Sequence, residues 1–148
     1  MNKENIKIKL LNEFAKIPTY GSDYSAGADL YACINEEIEI LPHNTVFINT
    51  GIQIEIPTGL VGLIYARSGL GCKKGLAPAN KVGVIDSDYR GEIIVALHNH
   101  TNDKQNIKPN ERIAQIVFTP YYKADFQKVE ELSDTIRGTG GFGSTGNK

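Results

Sequence analysis

The stretch Ile52-Gln53-Ile54-Glu55-Ile56, followed by the turn Pro57-Thr58-Gly59 and the apolar run 60–66, decides the fold class of this chain. Apolar and polar residues alternate over its first five positions, which is the period of a half-buried β-strand. The proline and the glycine then mark a turn, after which a second short apolar segment begins. The stretch therefore predicts two successive short strands joined by a turn.

Segments of the same character lie on both sides of this stretch. Turn residues separate them, and the chain of 148 residues contains 15 glycines and six prolines. Many short strands at such spacing indicate an all-β domain, built as a sandwich, a distorted barrel or a jelly roll. Helical periodicity is scarce and appears only near residues 70–75 and 126–132. The further strand-like segments are 6–10, 37–40, 82–85, 93–97 and 113–118.

Length and composition restrict the organisation of the chain. The 148 residues, 41% of them hydrophobic, suit one domain with a real core, which we assign to residues 1–132. A flexible, glycine-rich tail is expected over residues 133–148. No apolar run approaches the roughly 20 residues that span a bilayer, and residues 1–5 are too polar for a signal peptide. We therefore expect a cytoplasmic protein that does not contact a membrane.

The net charge argues against a nucleic-acid-binding protein, and the cysteine spacing argues against a disulfide or redox role. The net charge of −1 leaves no basic face for a nucleic-acid partner, so an anionic ligand would have to be bound by a few well-placed groups. Cys33 and Cys72 belong to no CxxC pair and are predicted to be free, packed thiols.

Asp86 is the first candidate for catalysis. The segment 79–93 is predicted to form a hairpin, with an apolar strand, a polar turn that contains glycine, and a returning apolar strand. A carboxylate at the end of a strand can be held rigidly beside a cleft and act as a general base on water. Alternatively, Asp86 and Asp88 are ordinary turn residues that accept local backbone hydrogen bonds, or the pair binds Mg²⁺. All three interpretations stay open on the residues alone.

Two other segments offer groups that bind anions or pair with charges. Arg67, Ser68 and Gly69 supply a charge, a hydroxyl and close backbone approach, although a turn with a surface arginine is the simpler interpretation. Arg112 and Gln115 lie near the start of an alternating strand, where a structural ion pair is the simpler interpretation.

An aspartate and a histidine pair complete the candidates within the domain. Asp29 enters a strand through small residues, and a buried aspartate would need partners. His98 and His100 share one face of a strand, which hints at a metal. Because no third His or Cys ligand is apparent nearby, solvated or packed histidines are favoured.

The C-terminal run 137–146 combines one arginine, five glycines, three hydroxyl residues and one aromatic. Glycine lets backbone N–H groups curl around anionic oxygens, and the arginine and hydroxyls add donors suited to phosphate. Phe142 could stack on a nucleobase. The alternative is a disordered tail with an incidental phenylalanine.

The order of these segments resembles the five-motif pattern of the trimeric dUTPases, the deoxyuridine 5′-triphosphate nucleotidohydrolases. The resemblance covers nearly the whole chain, and its third and fifth motifs are highly specific. It implies a β jelly roll that assembles as a homotrimer, with each of three active sites built from all three subunits. The five motifs are Ala28-Asp29-Leu30 and residues 66–70, 80–91, 112–115 and 137–146.

The resemblance also assigns roles around the nucleoside. The backbone from Asn80 through Gly83 and Val84, with the Asn80 side chain, would bind uracil. Tyr89 would pack beneath the deoxyribose and leave no room for a 2′-hydroxyl. Asp86 would activate the attacking water.

The phosphates would be bound by other motifs. Arg67, Ser68 and Gly69 would hold them, and Gln115 would contact the α-phosphate. The residues that would support the site are Asp29 and Arg112.

The tail would close over the bound nucleotide. Arg137, Ser144 and Thr145 would close over the γ-phosphate, and Phe142 would stack on the uracil. Gly143 would also bind the substrate. Because the unliganded tail has little apolar surface, it is expected to become ordered as a lid only over the bound nucleotide.

The implied reaction is hydrolysis of dUTP to dUMP and pyrophosphate by attack of water on the α-phosphorus. Mg²⁺ would be held mainly by the phosphates and waters, with no direct protein ligand. Two positions depart from the family pattern, since Ala66 replaces a frequent proline and Gly71 a frequent alanine. A dCTP deaminase of the same architecture, with Glu92 beside the base, and a non-catalytic nucleotide-binding module are the alternatives.

Overall fold

The computed structural model describes residues 3–141, which form twelve strands and one short helix. None of these residues belongs to a helix that is long and apolar enough to cross a membrane. The elements are β1 (Lys7–Leu10), β2 (Thr19–Tyr20), β3 (Ala28–Tyr31), β4 (Ile38–Ile40), β5 (Thr45–Asn49), β6 (Ile52–Glu55), β7 (Leu60–Tyr65), α1 (Ser68–Lys74), β8 (Leu76–Pro78), β9 (Gly83–Ile85), β10 (Ile94–Asn99), β11 (Gln105–Ile107) and β12 (Arg112–Pro120).

The strands pair antiparallel in four open sheets. The largest has five strands in the order β2-β3-β12-β7-β9, and a second has the order β5-β10-β8. Two ribbons, β1-β6 and β11-β4, complete the set. The predicted all-β fold is therefore confirmed.

Alternation of side chains along the strands builds the core. In β10, Val95, Leu97 and Asn99 are buried, while Ile94, Ala96 and His98 point the other way. Val95 and Leu97 join one hydrophobic cluster with side chains from the five-stranded sheet, among them Leu30, Ile64 and Ile116. Area removed from water in this way is the main favourable contribution to folding.

Two sequence-based predictions of local structure were wrong. Segment 79–93 is not a hairpin, because β9 pairs with β7 while the next strand, β10, pairs with β5 and β8. The chain crosses between sheets here, and the N–H of Ile93 donates to the carbonyl of Ile52. Residues 126–132 form no helix, and Phe126 is 93% exposed, so its apolar face has nothing to pack against. The helix expected near residues 70–75 is present as α1.

Candidate active site

Five predicted site residues meet in one pocket of about 430 Å³ at the edge of the five-stranded sheet. Strand register brings them together, because Gln115 on β12 is paired with Asp29 on β3 and with Tyr65 at the end of β7. The chain then leaves β7 directly into α1. The predicted residues that line this pocket are Asp29, Arg67, Ser68, Arg112 and Gln115.

Asp29 is held between two arginines on the floor of this pocket. Its Oδ1 accepts from Nε of Arg67 at 2.6 Å, and its Oδ2 accepts from Nη1 of Arg112 at 3.2 Å. Asp29 is only 7% exposed, so the partners that a buried carboxylate requires are present. Two guanidinium groups against one carboxylate leave a net positive charge beside the pocket, which suits an anionic ligand.

The Gln115 side chain is positioned by the backbone around it. Its Nε2 donates to the carbonyl of Ala66 at 2.9 Å, and its amide lies against the backbone of Gly27. A Cβ at Gly27 would lie 3.0 Å from Cδ of Gln115 and closer still to its Oε1. Sequence reasoning missed this role of Gly27, whose only signal was its place in a run of small residues.

Ser68 and Gly69 form the exposed first turn of α1. A Cβ at Gly69 would meet nothing within 4 Å, so the backbone there is open to a ligand. The departure at Gly71 does not disturb this turn, because a Cβ there would meet only the carbonyl of Leu76 at 3.8 Å.

A second group of predicted residues lies before, on and after β9, the edge strand of the same sheet. Gly83 is buried, and a Cβ there would lie 3.2 Å from Cβ of Ile64. Val84 is 61% exposed, and Asn80, Asp86 and Tyr89 are also exposed. None of these five residues lines the pocket around Asp29. Within one protomer the structure therefore brings the predicted site residues into two separate groups.

Side chains beyond the predicted set hold the loop after β9. Nη1 of Arg90 donates to the carbonyls of Ser87 and Tyr89 at 2.7 and 2.9 Å. The carboxylate of Glu92 accepts from the backbone N–H of Gly51 at 2.8 Å and from Nδ2 of Asn49 at 2.9 Å. Arg90 thereby closes the loop that carries Asp86 on itself, and Glu92 fastens its C-terminal end to the turn between β5 and β6.

The tail lies partly outside the described residues. Nε of Arg137 donates to the carbonyl of Gly140 at 2.7 Å within a local turn. The predicted substrate-binding residues that lie outside the described residues are Phe142, Gly143, Ser144 and Thr145.

The histidine pair does not belong to either group. The ring centroids of His98 and His100 are 4.5 Å apart, and Thr45 Oγ1 bonds Nδ1 of His98 at 2.9 Å. Burial, together with the nearby His98, lowers the pKa of His100 below 6.5. Among residues 3–141 no group of three or more His, Cys, Asp or Glu is arranged to hold a metal ion.

Glu111 and the two cysteines belong to neither group of candidate site residues. Burial alone would raise the pKa of Glu111, but hydrogen bonds from Lys74 Nζ at 2.6 Å and from the Lys108 N–H lower it overall. Cys33 and Cys72 are free thiols, as predicted, but only Cys33 is partly packed; Cys72 is exposed on α1, so the prediction that it is packed was wrong.

A sequence model of the dUTPase family matches residues 13–146 of this chain. The chain belongs to the dUTPase family. Among its dUTPase relatives, the deoxyuridine 5′-triphosphate nucleotidohydrolase of Desulfitobacterium hafniense is 47% identical over 99% of both chains. That of Acinetobacter baumannii is 47% identical over 89% of both chains.

Solved dUTPase structures share the fold. The dUTPase of Staphylococcus bacteriophage 80alpha with dUpNHpp superposes with a TM-score of 0.88 at 28% identity, covering 98% of this chain and 100% of that one. A mutant dUTPase of phage phi11 of S. aureus, which coordinates a structural Mg(II) ion, has a TM-score of 0.78. At 24% identity, over 86% of this chain and 98% of that one, it shows the fold alone.

Proposed function

We propose that this chain hydrolyses dUTP to dUMP and pyrophosphate, by attack of water on the α-phosphorus, and so helps to keep uracil out of DNA. The observation that carries the proposal is the pocket in which Asp29 orients Arg67 and Arg112 beside Ser68 and Gln115, in a chain of the dUTPase family. Positioned cations and donors lower the barrier of phosphoryl chemistry by stabilising charge on the phosphate oxygens.

Arg67 is the main phosphate ligand in this proposal. It uses Nε for Asp29, and its terminal nitrogens make no hydrogen bond within the described residues. Ser68 and Gly69 add a hydroxyl and open backbone beside it, and Gln115 contacts the α-phosphate. Arg137, Ser144 and Thr145 of the tail close over the γ-phosphate.

Mg²⁺ fits this donor set as an ion bound through the substrate. The only buried carboxylate of the pocket, Asp29, is engaged by two arginines, so phosphate oxygens and waters would supply most of the ligands. When bound, the ion would neutralise charge on the triphosphate. The phage phi11 dUTPase with its structural Mg(II) ion makes a divalent cation reasonable for the family.

The nucleoside is bound by the second group of residues. Asn80, Gly83 and Val84 bind uracil, Tyr89 lies beneath the deoxyribose, and Asp86 activates the water. Asp86 is suited to this role because it is exposed at the end of β9 and makes no side-chain hydrogen bond within residues 3–141.

We further propose a homotrimer with shared active sites. The two groups of site residues are separate in one protomer, so a complete site needs a second copy of the chain. In addition, the arm after β12 exposes large apolar side chains that a partner surface would cover. The clearest cases are Tyr122, Phe126, Leu132 and Ile136, which are 103, 93, 87 and 110% exposed.

A dCTP deaminase is disfavoured by one observation. Glu92, the carboxylate nearest the loop, is occupied by Gly51 and Asn49 and is not free to move a proton at the base. A non-catalytic module would need no exposed carboxylate such as Asp86 at the end of β9, in a chain that also carries the pocket of Arg67 and Arg112.

The test is pyrophosphate release from dUTP, with ammonia release from dCTP measured in parallel. Asp86→Asn should abolish turnover and retain nucleotide binding, whereas Asp88→Asn, in the same exposed loop, should keep near-normal turnover. Ammonia release without pyrophosphate would favour the deaminase, and binding without either product would favour the module. Near-normal turnover in Asp86→Asn would show that Asp86 does not activate the attacking water.

A further inference from the structure

The ring of Tyr89 lies directly on the backbone of Gly91. A Cβ at Gly91 would lie 2.5 Å from Cζ and 2.9 Å from Cε2 of Tyr89, and closer still to its hydroxyl. Real Cβ atoms essentially never come within 3.0 Å of a neighbour. The φ angle of Gly91 is not in the left-handed region, so its backbone would accept alanine, and the three heavy atoms nearest to a Cβ there all belong to the Tyr89 side chain.

Tyr89 is also held at its edge. Its hydroxyl donates to the carbonyl of Glu92 at 3.0 Å, and its N–H donates to the carbonyl of Asp86 at 3.1 Å. Glu92 is fastened in turn to Gly51. The hydroxyl end of the ring is thus held between Gly91 and the carbonyl of Glu92, while 43% of the residue is open to solvent.

We propose that Gly91 determines the selectivity of the site for deoxyribose over ribose, because it fixes the position of the Tyr89 ring. This inference rests on the function proposed above, in which the sugar lies on the open face of that ring. Ordinary carbon contacts are about 3.5–4.0 Å, so a methyl group at position 91 would force a shift of about 1 Å. The ring would then move toward solvent and would no longer fill the space beside the 2′ position of the sugar.

The experiment compares kcat/KM for dUTP and UTP, by pyrophosphate release, in four proteins and one control. These are the wild type, Gly91→Ala, Tyr89→Ala, the double variant, and Gly71→Ala. Gly91→Ala should lower the dUTP/UTP ratio by about ten-fold or more, because the displaced ring supports the deoxyribose less well and no longer excludes the 2′-hydroxyl of UTP. In the Tyr89→Ala background the same change should alter the ratio less than about two-fold. Gly71→Ala should keep the wild-type ratio and rate.

An unchanged ratio in Gly91→Ala would overturn the inference, as would an effect that persists in full without the tyrosine ring. If Gly91→Ala fails to fold, the double variant, which lacks the ring, should fold, and its failure to do so would also overturn it. A wild type that releases no pyrophosphate from dUTP would instead overturn the proposed function. A selective wild type with an unaltered Gly91→Ala ratio would overturn this inference alone.

Discussion

Replacing Asp29 by asparagine should lower both the stability and the activity of the protein. The substitution keeps the shape of the side chain but removes the charge between Arg67 and Arg112. The amide nitrogen that replaces one oxygen is a donor, so it faces a guanidinium donor and leaves one of the two bonds unmade. The result is that the largely buried guanidinium of Arg67 loses its anionic partner.

The size of the effect follows from the exposure of the two pairs. The Arg67 pair is mostly buried, with side chains 24 and 11% exposed, so its loss should cost about 2–3 kcal/mol. The Arg112 side chain is 52% exposed, and solvent screening limits that pair to about 0–1 kcal/mol. The free energy of unfolding should therefore fall by about 2–4 kcal/mol.

Urea unfolding at one fixed protein concentration measures this change, since assembly would make the midpoint depend on concentration. The matched control is Glu39→Gln, which breaks the exposed pair between Glu39 and Lys104 and should cost less than about 0.5 kcal/mol. Because Asp29 orients Arg67, kcat/KM for dUTP should also fall by about 10²-fold. A stability change in Asp29→Asn no larger than that of the control would refute the reasoning.

Three further predictions concern Gly27 before β3, the ion pair between Glu111 and Lys74, and the C-terminal tail. Gly27→Ala should lower kcat/KM for dUTP by about ten-fold or more by displacing Gln115, and wild-type kinetics in that variant would contradict the geometry. The folded-state pKa of Glu111 is lowered below its ordinary 4.5, so its pair with Lys74 contributes stability above that pH and loses it as pH falls through the lower folded value. The difference in stability between the wild type and Glu111→Gln should therefore be full near neutral pH and shrink as pH falls from about 4.5 through the lower folded-state pKa, and a constant difference would exclude the linkage. Removing residues 137–148 should leave the thermal midpoint near that of the wild type but reduce kcat/KM by about 10²-fold or more, and a fully active truncation would show that the tail has no part in the reaction.

The strands were largely predictable because alternation is a local property. Ile52–Glu55 and Leu60–Tyr65 form strands where the alternating stretch and the following apolar run were found. Shorter strands such as Leu76–Pro78 carry too few residues for a period and were missed. Segment 79–93 was mistaken for a hairpin because sequence shows where strands start and end, whereas pairing depends on which distant strand supplies the partner.

The residues of the candidate site were likewise predictable only in part. The order and spacing of the motifs were enough to place Asp29, Arg67 and Asp86 in a dUTPase. Gly27 lies in a run of small residues and Gly91 in the third motif, but neither signal shows what the glycine does, because that depends on the side chains of Gln115 and Tyr89 that lie against them.

By itself the sequence determined the strand content, the family and the residue types that carry the chemistry. Only the tertiary structure decided that Asp29 binds Arg67 and Arg112, which lie 38 and 83 positions away along the chain. It also decided that Asp29, Arg67, Ser68, Arg112 and Gln115 line one pocket, whereas Asp86 and Tyr89 do not line it. The physical reason is that covalent neighbours set the backbone pattern, whereas ion pairs and close contacts form between groups that only sheet pairing brings within reach.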